Sequence, residues 1–122
     1  MESNKLRYSD KELAEFELIV DAKLNHAKDQ LTFYNEQILA LGDNTNSKAN
    51  GVEEGIQSAE NERLVSLVNR QQKLILHLEN AKLRIKNKVY GVCRVTGDLI
   101  SKARLNAVPH ATLSIKAKQQ QR

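Results

Sequence analysis

The chain has 122 residues, which suits one domain or a small core with an appendage, and its net charge is +4. One cysteine excludes an internal disulfide and favours a reducing compartment. No apolar run approaches the roughly 18–20 residues of a membrane span, and the N-terminus lacks the pattern of a signal peptide. We therefore expect a cytoplasmic protein that makes no use of a membrane.

The charge is distributed unevenly. Residues 1–81 contain 9 Lys or Arg and 14 Asp or Glu, whereas residues 82–122 contain 10 basic residues and a single acid, Asp98. Such a basic C-terminal part favours contact with phosphate or with an acidic protein surface, and it is equally consistent with a solvated basic helix and tail. The few aromatic residues are scattered, which argues against a base-stacking platform for nucleic acid.

A first long helix is predicted from the capping box formed by Ser9 and Glu12, with Tyr8 placed to staple onto Leu13. Apolar residues then recur at steps of three and four, which is typical of a coiled-coil seam. Gly42 follows the last of them, where a helix C-cap belongs. The seam residues are Leu13, Phe16, Val20, Leu24, Ala27, Leu31, Tyr34, Ile38 and Leu41.

A loop is predicted over residues 42–58, which are rich in Gly, Asn, Ser and acidic residues and show no apolar period. A second seam with the same spacing follows. It comprises Leu64, Leu67, Gln71, Leu74, Leu78, Ala81, Ile85 and Val89. Two such stripes joined by a short polar loop bury each other most simply as an antiparallel hairpin. A narrow hairpin has no room for a substrate pocket.

The heptad ends after residue 89, where Gly91, Gly97 and Pro109 interrupt the chain. From Ala111 onward the chain can form a short basic helix. The predicted fold is all-α: a long two-helix coiled-coil hairpin and a small globular end with a C-terminal helix. The predicted parts are an N-terminal tail (1–9), a hairpin (10–89) with its tip loop (42–58), and a globular region (90–122).

An ordered set of residues marks the C-terminal region. It comprises Tyr90, Gly91, Cys93, Thr96, Gly97, Ile100, Arg104, Leu105, Ala107, Pro109, Ala111, Ser114 and Ala117. Their order and spacing resemble the zinc finger of the DksA/TraR family, bacterial regulators that bind RNA polymerase. That family's pattern is Tyr-Gly-x-Cys-x-x-Cys-Gly, an Ile, an Arg-Leu pair, a Pro and Cys-x-x-Cys. The preceding hairpin also fits the family, so the resemblance covers nearly the whole chain.

The resemblance identifies four vestigial zinc-ligand positions, of which only Cys93 keeps its thiol. Thr96, Ser114 and Ala117 occupy the others, although a structural zinc ion needs four ligands from Cys, His or carboxylate. The chain is similar to zinc-free members of the family, so neither zinc nor any other cofactor is expected. Packing is expected to replace the metal, with Cys93 as a small buried residue. Candidates for a small core are Val92, Val95, Leu99, Ile100, Leu105, Leu113 and Ile115.

The resemblance implies a transcription regulator that docks near the rim of the secondary channel of RNA polymerase. Its hairpin tip would approach the catalytic centre and modulate initiation without any reading of DNA sequence. The family's tip motif is Asp-x-x-Asp-x-Ala. The nearest residues here are Asp43, Asn46 and Ala49, which do not fit one register together. Asp43 is equally consistent with a turn residue after Gly42.

The alarmone ppGpp acts with this family through basic residues on the second helix and in the globular end. His77, Val108 and Lys118 stand at the matching places, with Arg104 nearby. Phosphate binding prefers Arg or Lys donors, and only Lys118 keeps the charge at a matching place. The sequence therefore predicts weak or absent dependence on ppGpp.

Two other functions remain open from the residues alone. A structural coiled-coil adaptor would need only the hairpin, and a nonspecific DNA-binding protein would use the basic C-terminal part, with affinity that falls steeply with salt. An enzyme is not expected, because His26, His77 and His110 are far apart in sequence and no nucleophile motif or phosphate-binding loop is present.

Overall fold

The computed structural model describes residues 7–45 and 51–120, and within these ranges the side chains of all but residues 43–45 and 51–54. The regular structure of these ranges is α-helical apart from one isolated antiparallel bridge between Val92 and Leu99. The all-α fold class, with two long packed helices before a small C-terminal end, is confirmed. The helices are α1 (Asp10–Thr45), α2 (Gly51–Lys86), α3 (Lys102–Ala107) and α4 (Ile115–Gln120).

The chain divides into two compact units, and both long helices contribute to each. The distal unit is Asn25–Leu76, and the basal unit combines the chain up to Leu24 with the chain from His77 onward. This division differs from the parts expected from the sequence, because the first turns of α1 and the last turns of α2 cluster with the C-terminal region.

The predicted capping box at the start of α1 is confirmed. The backbone N–H of Ser9 donates to Glu12 Oε1 at 2.9 Å, and the backbone N–H of Glu12 donates to Ser9 Oγ at 3.1 Å. Tyr8, expected to belong to a tail, is 6% exposed. Its ring packs edge-on against Phe16 with the ring centroids 5.2 Å apart. Tyr8, two residues before α1, is therefore part of the core of the basal unit.

The predicted loop over residues 42–58 is wrong in its extent. The first helix continues to Thr45 and the second begins at Gly51, so Gly42 and Gly55 lie inside helices. A glycine in a helix interior costs about 1 kcal/mol relative to alanine, but it still donates and accepts the helical hydrogen bonds. Each further residue of an established helix adds a hydrogen bond, so both helices extend through this unfavourable composition.

The second helix ends three residues earlier than the seam predicted. Lys88 adopts a left-handed conformation with φ 63°. Its N–H donates to the carbonyl of Ile85 at 3.0 Å, and the N–H of Val89 donates to the carbonyl of Arg84 at 2.9 Å. These two bonds form a Schellman motif, which satisfies the last carbonyls of α2 and turns the chain.

Two short helices follow in the basal unit. The sequence did not predict α3, whose N-cap Ser101 accepts a hydrogen bond from the backbone N–H of Arg104 at 3.2 Å. Its six residues are too few to show an apolar period. The predicted C-terminal helix exists as α4, but it starts at Ile115 rather than Ala111, because Ser114 caps it.

None of the helices in the described ranges, including the two of 36 residues, contains a stretch apolar enough to cross a membrane.

Candidate functional site: a thiol-centred knot and a basic cavity

Two of the four vestigial zinc-ligand positions, Cys93 and Thr96, belong to a short hairpin-like turn that begins at Gly91. The N–H of Ile100 donates to the carbonyl of Gly91 at 2.7 Å, and the N–H of Cys93 donates to the carbonyl of Asp98 at 2.7 Å. The N–H of Gly97 closes the turn onto the carbonyl of Cys93 at 2.8 Å. These backbone bonds hold Cys93 and Thr96 on the same tight turn.

Cys93 is buried, as expected, and its side chain is 1% exposed. Burial by itself raises the pKa of the thiol. Hydrogen bonds from the Thr96 hydroxyl and from the backbone N–H groups of Ser114, Thr96 and Val95 outweigh that effect and lower the pKa to about 6. The sulfur thus accepts hydrogen bonds from the turn at Val95 and Thr96 and from Ser114. It thereby links two segments that a bound metal would otherwise hold together.

The four vestigial positions, Cys93, Thr96, Ser114 and Ala117, are called here the thiol-centred knot. Ser114 and Ala117 contribute to it through backbone capping. The Ser114 hydroxyl accepts a hydrogen bond from the N–H of Ala117 at 3.1 Å, and its carbonyl accepts one from the N–H of Lys118 at 2.9 Å. Ala117 is buried, with 1% exposure. Ser114 therefore serves as the N-cap of α4, and Ala117 fills space that a larger side chain would overcrowd.

These residues do not fit a four-ligand zinc ion. Cys93 supplies one thiol, the Ser114 hydroxyl is engaged as a helix cap, and Ala117 has no donor atom. Among the described residues, no group of three or more His, Cys, Asp or Glu side chains is placed to hold a metal ion. The donor set falls three ligands short of a structural zinc site.

Aromatic residues and ion pairs tie the knot to the long helices. Phe16 also packs against Tyr90, with the ring centroids 5.2 Å apart, and the Tyr90 hydroxyl donates to the carbonyl of Pro109 at 2.7 Å. The Tyr8 hydroxyl donates to the carbonyl of Ile100. On the surface, Lys102 Nζ lies 2.8 Å from Glu12 Oε2. Burial raises the pKa of Tyr90 to about 12, so its hydroxyl stays protonated and able to donate.

The predicted small core is only partly correct. Ile100 and Leu105 are fully buried, but Val95 and Ile115 are 52% and 53% exposed. Alternation in so short and irregular a segment does not reveal which face is covered.

A second feature of the basal unit is an open cavity of about 310 Å³, called here the basic cavity. It brings together His77, Arg104 and Lys118, the three positions expected for an alarmone site, and Val108 lies beside them. They come from α2, α3, α4 and the segment after α3. The remaining lining residues are Asn80, Arg84, His110, Ala111, Thr112 and Leu113.

Two charged lining residues of the basic cavity are also structural. Arg104 Nε donates to the carbonyl of Leu113 at 2.8 Å, and an Arg84 guanidinium nitrogen donates to the carbonyl of His110 at 3.4 Å. Burial lowers the pKa of Arg84. Sequence reasoning missed Arg84 and His110 as lining residues. The only signal was the basic last turn of α2, which is common in helices.

His77 and His110 stack in the basic cavity with their rings nearly parallel, at an interplanar angle of 9° and a centroid distance of 5.6 Å. Burial lowers the pKa of His110, and the charges of His77, Arg84 and Arg104 lower it further. Its Nδ1 is buried and has no hydrogen-bond partner among the described residues.

The predicted tip residues cannot be placed in a site. Asp43 lies in α1, but its side chain is outside the description, and Asn46 and Ala49 lie outside the described residues. Their role remains a prediction from the family pattern.

Comparison with known proteins agrees with this architecture. The family model of the prokaryotic dksA/traR C4-type zinc finger matches residues 88–121, which include the thiol-centred knot. Two relatives are each 34% identical to this chain over 107 residues. Both are named RNA polymerase-binding transcription factor DksA, from Caulobacter vibrioides strains NA1000 / CB15N and ATCC 19089 / CIP 103742 / CB 15. The match covers 81% of this chain and 75% of each relative. The chain therefore belongs to the DksA/TraR family.

A solved structure shows the same fold. Transcription factor DksA2 from Pseudomonas aeruginosa superposes with a TM-score of 0.80 at 22% identity, covering 89% of this chain and 81% of that one. The relatives are transcription factors and not enzymes, which agrees with the expectation that the chain has no catalytic site.

Proposed function

We propose that this protein is a transcription regulator that binds RNA polymerase and modulates initiation without reading DNA sequence. The observation that carries the proposal is the 34% identity over 107 residues with an RNA polymerase-binding transcription factor. The shared fold with DksA2 supports it. A regulator of this kind acts where the polymerase is, in the bacterial cytoplasm.

The hairpin would enter the secondary channel of the polymerase, with Asp43, Asn46 and Ala49 near the catalytic centre. A carboxylate there can approach a catalytic magnesium ion or a basic wall. Of the three, only Asp43 carries a charge. We therefore expect Asp43 to act on initiation rather than on affinity, since one charge contributes little to a large interface.

A pull-down with purified RNA polymerase, followed by abortive-initiation assays, tests the proposal. Asp43→Asn should keep polymerase binding and weaken the effect on initiation, while Asp29→Asn, an exposed acid on α1, serves as the matched control. Failure of the wild-type chain to bind polymerase would overturn the proposal. DNA binding that needs no polymerase and disappears at high salt would favour the nonspecific DNA-binding protein. If the chain binds neither polymerase nor DNA, a structural adaptor would be favoured.

We propose further that the fold needs no zinc. The hydrogen bonds to Cys93 and the capping by Ser114 join the same segments that a metal would join. Thermal melts by circular dichroism should therefore coincide with and without a chelator. A drop in melting temperature upon chelation, or one equivalent of zinc in the purified protein, would refute this.

Dependence on ppGpp is proposed to be weak or absent. The basic cavity contains Lys118 and Arg104, but His77 and Val108 stand where the family pattern has basic residues. Arg104 also has its Nε committed to the carbonyl of Leu113. A binding isotherm with the polymerase complex at pH 7.5 should show no affinity in the micromolar range. Micromolar or tighter affinity would contradict the proposal.

A further inference from the structure

We propose that the acidic first turns of α1, residues 10–21, are an autoinhibitory counter-charge that keeps three lysines of the basic C-terminal part from binding nucleic-acid phosphates. The lysines are Lys82, Lys88 and Lys102, and none of them lines the basic cavity. The inference goes beyond the proposed function, because it concerns a binding that the molecule suppresses, and its test needs no polymerase.

Three ion pairs join the first turns of α1 to the C-terminal part of the chain. In each pair a carboxylate oxygen of α1 lies 2.8 or 2.9 Å from a lysine Nζ. The lysines come from α2, from the turn that follows it and from α3. The pairs are Asp21–Lys82, Asp10–Lys88 and Glu12–Lys102. These contacts therefore arise from the fold and not from neighbouring turns of one helix.

The acids of α1 that form none of these three pairs act on the same lysines. Residues 10–21 contain five acidic residues and one basic residue. The hydrogen bond to its paired carboxylate raises the pKa of Lys102, and the charge of Glu15 raises it further. The pKa of Lys82 is raised in the same way by its paired carboxylate, with Glu17 adding to the effect. Every acidic residue of this stretch thus interacts with a lysine of the C-terminal part.

The paired lysines remain accessible to solvent. The side chains of Lys82, Lys88 and Lys102 are 40%, 52% and 57% exposed. Exposed ion pairs contribute little to stability, so the fold does not depend on them. A phosphate that approaches one of these lysines must displace its carboxylate and is repelled by the acids nearby. The pairing therefore acts on binding more than on folding.

The charge of the C-terminal part is that of a nonspecific nucleic-acid binder. Residues 82–122 contain ten basic residues and one acid, Asp98. A lysine binds phosphate as a point charge, and nonspecific affinity grows with the number of cations that can replace counterions. The acids of α1 lower that number from far away in sequence, since Asp10 and Lys88 are 78 positions apart.

The test compares two triple variants that remove the same number of negative charges. The basal variant, Asp10→Asn/Glu12→Gln/Asp21→Asn, frees the three lysines. The control variant removes exposed acids of the distal unit. It carries Asp29→Asn/Glu36→Gln/Glu62→Gln. Glutamine at position 12 keeps the capping box, because its side-chain oxygen also accepts from the N–H of Ser9.

Binding is measured by fluorescence anisotropy with a labelled 20-base-pair DNA duplex of mixed sequence, between about 50 and 200 mM salt. At the lowest salt, the Kd of the basal variant should be at least about tenfold lower than that of the control variant. Its salt dependence should be steeper by up to about 2.7 in log–log slope, because each freed lysine adds about 0.9. Equal Kd values and equal slopes would overturn the proposal.

Lysine variants show whether the gain runs through the named side chains. Lys82→Gln/Lys88→Gln/Lys102→Gln, added to the basal variant, should abolish its gain in affinity. The same three substitutions in the wild-type chain should change the Kd by less than about twofold, because these lysines are already occupied. A gain that persists without the lysines, or a tenfold loss in the wild-type background, would contradict the assignment. The second comparison leaves the acids of α1 intact.

An acidic protein surface is the other partner that free lysines could bind, and poly-L-glutamate represents it. If the basal variant gains affinity for poly-L-glutamate but not for DNA, the lysines belong to acidic proteins and the assignment to nucleic acid is wrong. Failure of the polymerase pull-down would leave all of these results intact. The two proposals can therefore fail separately.

Discussion

The two units of the molecule bury their apolar residues to very different degrees. Of the 17 buried hydrophobic side chains in the described ranges, 14 belong to the basal unit and only Ala27, Leu64 and Val68 to the distal unit. In the distal unit the seam residues Leu31, Tyr34 and Leu74 are only half-buried. Two helices alone cannot cover each other's seams fully, whereas the basal unit adds a third layer of aromatic rings and short helices.

The comparison teaches that one heptad pattern can serve two purposes. In the basal unit the seam is the foundation of a closed core that includes Tyr8, Phe16 and Tyr90. In the distal unit the same spacing maintains helix pairing while its seam residues Leu31 and Leu74 stay only half-buried. We therefore expect substitutions to cost much more stability in the basal unit.

Two leucines on α2 give the largest expected contrast. Leu78 is 0% exposed in the basal unit, while Leu74, one turn earlier in the distal unit, is half-buried. Leu78→Ala should lower the free energy of unfolding by about 3–5 kcal/mol and Leu74→Ala by about 1–2 kcal/mol. Urea denaturation followed by circular dichroism measures both. Equal losses would mean that the two units do not differ as their burial indicates.

Alanine substitutions at two glycines of the C-terminal region distinguish the cost of a steric clash from the cost of backbone strain. Gly91 and Gly97 both have φ 78°, but a Cβ at Gly91 would lie 2.7 Å from the Tyr8 ring, whereas one at Gly97 meets nothing within 4 Å. Gly97→Ala should cost about 1 kcal/mol from the left-handed conformation alone. Gly91→Ala should cost about 2–3 kcal/mol or more, because Tyr8 must also move. Thermal or urea denaturation gives both values, and a smaller loss for Gly91→Ala would show that Tyr8 yields easily.

The thiol of Cys93 should make stability depend on pH. Its pKa is about 6 in the folded chain, against an ordinary value of 9.0. Between these values the unfolded chain binds more protons, so the free energy of unfolding should rise with pH from 6 to 9 and then level off. Cys93→Ser should remove that part of the rise, as measured by denaturation at several pH values. Thr96→Ser keeps the hydroxyl that donates to the thiol, so this variant should keep the rise of stability with pH.

The smallest expected effect is a gain of stability in the distal unit. Gly55 lies inside α2, and a Cβ there would meet nothing within 4 Å. Gly55→Ala should raise the stability of the distal unit by up to about 1 kcal/mol, because alanine restricts the unfolded chain and favours the helix. Hydrogen exchange of α2 amides would report it. Slower exchange confined to the distal unit is expected, and unchanged or faster exchange of those amides would contradict it.

The long helices were predictable because the seam and the capping box at Ser9 are local in sequence. The extent of the loop was not, since glycine and asparagine weaken a helix without forbidding it. Lys88 in a left-handed conformation ended α2 without the glycine that usually signals such a turn.

The basic cavity was only half predictable. His77, Arg104 and Lys118 were candidates through the family resemblance, but nothing in the sequence joins them to Arg84 or stacks His110 on His77. That grouping arises when α3 and the segment after it fold back onto α2. The hydrogen bonds to the Cys93 sulfur were likewise not predictable, because three of the donors are backbone N–H groups that almost any residue could supply.

The contact of Tyr8 with the chain around Gly91 and Ile100 has a practical consequence for experiments that isolate the zinc-finger-like region as a fragment. A fragment cut to residues 88–121 would lose the ring that covers Gly91 and the hydroxyl that satisfies the Ile100 carbonyl. The contact spans 92 positions of sequence, so a ribosome must translate past Ile100 before Tyr8 meets its partner. The C-terminal region is thus completed by a residue that precedes α1, and it should finish folding only after residue 100 has been translated.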